Sequence, residues 1–140
     1  MNNSESAYQL PDWVLINPAL PYDPVNKQGE LGIITAAIIG QDEFYVGFDD
    51  RVVGLYSADT LLVLEDRENI YQYLTDNRME LGQSDFTALL NIVLFQSYGG
   101  PDHQKRALTL ALKHPDIREF ALLSLDSQLR YFSQTQRPGR

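Results

Sequence analysis

The chain has no cysteine in its 140 residues. That excludes disulfides, thiolate metal centres and a cysteine nucleophile. Long apolar runs are also missing. The two longest, residues 31–39 and 86–95, each reach about half the ~20 residues a membrane-spanning helix needs. Both are expected to be core elements. The opening MNNSESAYQLPDW has neither a basic start nor an apolar centre. It therefore does not read as a secretory signal, and a cytoplasmic location with no membrane partner is the expectation.

Positive charge is scarce in the first half. Up to Leu64 only Lys27 and Arg51 stand against nine acids, a balance of −7. From Glu65 onward ten acids meet nine bases, leaving −1. An acidic half repels phosphate backbones and attracts basic proteins. Acidity also serves plain solubility. Nucleic acid is not expected as a partner, because it calls for a basic stripe that this half lacks.

Catalytic and cofactor motifs are missing as well. No G-x-S-x-G elbow occurs, and glycines 29, 32, 40 and 47 match neither phosphate-loop pattern. The acid pairs Asp42-Glu43 and Asp49-Asp50 lack the alternation and later Glu of a calcium loop. His103 and His114 are the only histidines, eleven residues apart. That is close to three helical turns, so they could share a face with Asp102 nearby. Pro115 nevertheless pulls His114 to a helix boundary, and no third ligand has the required spacing. No catalytic residue, metal site or cofactor is assigned.

What remains is an architecture. Trp13–Ile16 reads as a strand stopped by Asn17-Pro18, and the proline-rich segment 18–30 as a stiff loop. In LGIITAAIIG both alternating sets are apolar, which predicts a strand covered on both faces. Strands follow at 43–48, 51–56 and 61–64, with a turn at Asp49-Asp50 and a 3₁₀ step at 57–59. The period then changes. Helices are expected over 66–77, around 86–96, over 102–113 and over 116–132, the last broken near 124–126. Ser84 is the expected N-cap of the second, which should be central.

Five short strands with a long first loop and a one-turn step before the last resemble an SH3-like small barrel of the KOW and Tudor kind. The likeness rests on Gly32–Leu64, with Val46-Gly47-Phe48-Asp49-Asp50 and Tyr56-Ser57-Ala58-Asp59-Thr60-Leu61 against V-x-F-x-D-G and Y-x-x-D-x-L. The glycine expected after Phe-x-Asp is replaced by Asp50. The resemblance implies an α+β protein: a five-stranded SH3-like barrel packed against three to four C-terminal helices. The expected division is a flexible lead at 1–10, the barrel at 11–64, a helical region sharing its core at 65–133 and a disordered tail at 134–140.

Tyr22, Tyr45 and Tyr56 lie beside acids, and with Asp23, Asp49 and Asp59 they form the candidate binding set. Aromatic faces near acids attract cations, and acids steer a basic target. The alternative is that these tyrosines cover the barrel and bond locally. Three functions are carried forward. One is a non-enzymatic protein- or peptide-binding module with a basic partner. Another is an acidic inhibitor or immunity-type protein that neutralises such a partner. The third is a hydrolase or transferase with a cryptic site around a histidine. A homodimer is compatible with each.

Overall fold

The computed structural model describes residues 10–135. The expected flexible lead lies outside the described residues except for Leu10. The expected tail does too, except for Gln134 and Thr135, which end the last helix. The protein is mixed α+β, with six strands and five helices. In chain order these are β1 (Trp13–Ile16), β2 (Leu31–Ile38), β3 (Glu43–Gly47), β4 (Val53–Tyr56) and β5 (Leu61–Leu64). Helices α1 (Arg67–Asp76), α2 (Gln83–Tyr98), α3 (Pro101–Lys113) and α4 (Arg118–Ala121) follow. Strand β6 (Leu122–Ser124) and helix α5 (Leu125–Thr135) close the described chain.

The strands form one open sheet in the order β4-β3-β2-β1-β5-β6. The chain divides into two compact units. One runs to Leu62 and resumes at Ser124, and the other is Val63–Leu123.

The first unit is built on the β1–β4 meander. Strand β1 buries Val14, Leu15 and Ile16 completely, and each such side chain contributes roughly 1.5–3 kcal/mol. Along β3, Phe44 and Val46 point inward and Tyr45 outward, the period-two alternation of a half-covered strand. Strand β2 differs from expectation. Ile33 and Ile38 are 41% and 44% exposed, and Thr35 and Ala36 are exposed too. On the covered face Gly32 lets Val46 and Phe48 close over the backbone. A bulge between Ile34 and Ala36 shifts the β2–β3 register, and the Thr35 hydroxyl donates to the Tyr45 carbonyl at 3.1 Å.

The β3–β4 turn holds Arg51 at φ 70°. This is the left-handed conformation a glycine adopts without strain. A 3₁₀ turn at Ala58–Thr60 precedes β5 and packs on α5.

In the second unit α1, α2, α3 and the 3₁₀ turn before α4 bury Ile70, Leu74, Leu89, Ile92, Leu108 and Ile117. Tyr73 and Phe120 stack at 3.9 Å between centroids. Helix α2 begins one residue before the expected cap, so Gly82 is the N-cap and Ser84 lies in the first turn. Gly99 and Gly100, both at positive φ, end it, and Pro101 starts α3. The helix expected over 116–132 with a break near 124–126 is a 3₁₀ turn, α4, β6 and α5. The break falls at Leu122–Ser124, which is extended.

Candidate interaction face

Six residues were singled out for binding, and they occupy different places. Tyr22 is 75% exposed on the β1–β2 loop, and Asp23 beside it is 2% exposed. Tyr56 is buried on the inner face of β4. Tyr45 is half-buried on the outer face of β3. Asp49 is exposed in the β3–β4 turn, and Asp59 is exposed in the 3₁₀ turn, where the Ser57 hydroxyl donates to it. The fold joins only Asp23 and Tyr56, and it puts Tyr45 on the opposite face from Tyr56.

The joined pair is a lock inside the unit. The Tyr56 hydroxyl donates to Asp23 Oδ2 at 2.7 Å. The amides of Val25 and Lys27 donate to the same carboxylate at 3.0 Å each. Asp23 is the single buried charged residue among the described residues. Burial pushes its carboxyl up, but the Tyr56 hydroxyl, the two amides and the Lys27 charge outweigh it and hold it below the ordinary value. Burial, and then the bond to Asp23, pushes the Tyr56 phenol up. Gly54 belongs to the same lock, since any β-carbon there would meet the Tyr56 ring at 2.7 Å.

Lys27 continues the loop's anchorage. Its ammonium lies 2.5 Å from Asp50, 3.7 Å from Glu30 and 5.3 Å from the centre of the Phe48 ring. The bond to Asp50 raises the Lys27 pKa and lowers that of Asp50. One of the two cations in this acidic half is thereby engaged within the fold.

The outer face of β2, β3 and β4 is a different kind of surface. Cross-strand register sets Ile33, Gly47 and Val53 in one row and Ala36, Tyr45 and Leu55 in the next. Ile38 pairs with Glu43 in a third. Val53 is 53% exposed and Leu55 51%. Acids stand at both ends of strands β3 and β4: Asp42, Glu43 and Asp59 at one, Asp49 and Asp50 in the turn at the other. Asp42 is held there, accepting from the Ala58 amide at 2.8 Å. An apolar centre with an acidic rim suits a basic, part-apolar protein surface. The alternation along β3 and β4 builds this face, and the expected double coverage of β2 hid it.

The histidines serve local roles. His103 Nδ1 lies 2.8 Å from the Gly99 carbonyl, and its ring meets Phe95 and Tyr98. His114 Nδ1 lies 3.4 Å from Asp85. Among the described residues no three His, Cys, Asp or Glu side chains gather as metal ligands. No helix among them is long and apolar enough to cross a membrane. Comparison with protein-family models, curated proteins and solved structures finds no match for this chain.

Proposed function

We propose that the chain is a non-enzymatic protein-binding module whose β2–β3–β4 outer face receives a basic partner. The observation that carries this reading is the exposed Ile33, Val53 and Leu55, with half-buried Tyr45, in two neighbouring rows of strands whose ends carry acids. Of the earlier candidate set, Tyr45, Asp49 and Asp59 border this face. Asp23 and Tyr56 hold the strand behind it, and Tyr22 lies on the neighbouring loop. The hydrogen-bonded run β5-β1-β2-β3-β4, the long first loop and the 3₁₀ turn before β5 support the SH3-like resemblance. An inhibitor that neutralises a basic protein would use the same surface and differ only in what it captures.

The test is capture from nuclease-treated host lysate at low and high salt, comparing the natural chain with Leu55→Asp and Tyr45→Ala. A basic protein retained by the natural chain at low salt and depleted about tenfold by either variant supports the reading, a loss of about 1.4 kcal/mol. A partner held equally by all three proteins would contradict it.

A further inference from the structure

Strand β4 ends the sheet, and its edge has a distinct chemistry. The Phe48 amide donates to the Val52 carbonyl at 2.9 Å. Antiparallel alternation then turns the backbone groups of Gly54 and Tyr56 toward β3 and those of Val53 and Leu55 away from it. Among the described strands none pairs with that outer side.

Exposed edges are commonly blunted by lysine, proline or an inward charge. The edge Val53-Gly54-Leu55-Tyr56 carries none of these. It is also held in place from behind: Tyr56 is pinned by Asp23, and Gly54 lies against the Tyr56 ring. A strand fixed in advance loses little freedom when another segment pairs with it.

We propose that this edge takes an extended, lysine- or arginine-bearing segment of a partner protein as an added strand. The inference rests on the protein-binding reading and specifies how the partner binds. Charge selects the occupant. Residues 10–62 carry eight acids against Lys27 and Arg51, a balance of −6. A second copy would bring the same negative field to the edge, whereas a basic segment is drawn to it. Apolar residues at alternate positions of the added strand would extend the Val53–Leu55 rows.

The experiment uses the full chain and two synthetic peptides, one alternating lysine with valine and one alternating glutamate with valine. Amide hydrogen exchange is followed residue by residue by NMR. In the free protein the amides of Val53 and Leu55 are expected to exchange fast and those of Gly54 and Tyr56 slowly. The lysine peptide should slow Val53 and Leu55 at least about tenfold, and more weakly as salt rises. The glutamate peptide should leave them unchanged. Leu55→Pro removes an outward amide and spares the β3 ladder, so it should abolish the effect while Gly54 and Tyr56 stay protected. Should that variant fail to fold, exchange in the natural chain still decides.

Slow exchange at Val53 and Leu55 in the free protein would overturn the proposal. So would no binding of the lysine peptide, or equal protection by both peptides. If the lysine peptide binds and shifts Tyr45 and Ile33 but leaves the two amides fast, the edge is refuted and the outer-face reading stands.

Discussion

Asp23 and Tyr56 are 33 positions apart in sequence and share one buried bond. Removing the phenol hydroxyl with Tyr56→Phe deletes a bond to a charged acceptor, which costs about 1–3 kcal/mol. Urea denaturation should show the loss as a lower midpoint with an unchanged slope. The pH dependence follows from the directions of the shifts. Asp23 is held below its ordinary value of 3.8, so its contribution is present at neutral pH and lost as pH falls through the lower folded value. Tyr56→Phe removes part of that lowering, so acid unfolding should begin at higher pH. Tyr56 itself is raised above 10.0, so its contribution holds below that value and is lost in alkali as pH climbs toward the folded value. The sequence set Asp23 beside Tyr22 and Tyr56 near Asp59, and both Asp23 and Tyr56 read as ligand contacts. Asp23 lay in the stiff proline-rich loop expected over 18–30. Nothing local could say that the carboxylate would turn inward to cap Val25 and Lys27 and meet a tyrosine from another strand.

Among the elements, β3 and β4 were legible because their alternation is clean: Phe44, Val46 and Tyr56 face in, and Tyr45, Val53 and Leu55 face out. Strand β2 was misjudged because apolarity on both faces reports what could be buried, not what covers it. The break expected near 124–126 of the last helix falls at Leu122–Ser124, where the chain is extended as strand β6. The contrast between faces yields a paired expectation. Leu55→Asp lies on the outer face and should cost under about 0.5 kcal/mol in stability. Leu89→Ala in α2 empties a completely buried site and should cost about 2–5 kcal/mol. Thermal unfolding of the two variants measures both. Equal losses would mean that the outer face of β4 is as closely packed as the helical core.

At the scale of the whole molecule, the sequence disclosed a mixed α+β chain and the contrast between an acidic first half and a nearly balanced second. The open sheet was not legible, since strand order depends on pairings far apart in sequence, such as Leu15 with Leu62. The account's central claim is that a basic partner meets the β2–β3–β4 outer face. Methyl-resolved NMR of the full chain, titrated with the captured partner at low salt, tests it most directly. Shifts concentrated at the methyls of Ile33, Ile38, Val53 and Leu55 and weakened by added salt are the predicted result. Shifts confined to the helices, or unaffected by salt, would contradict it.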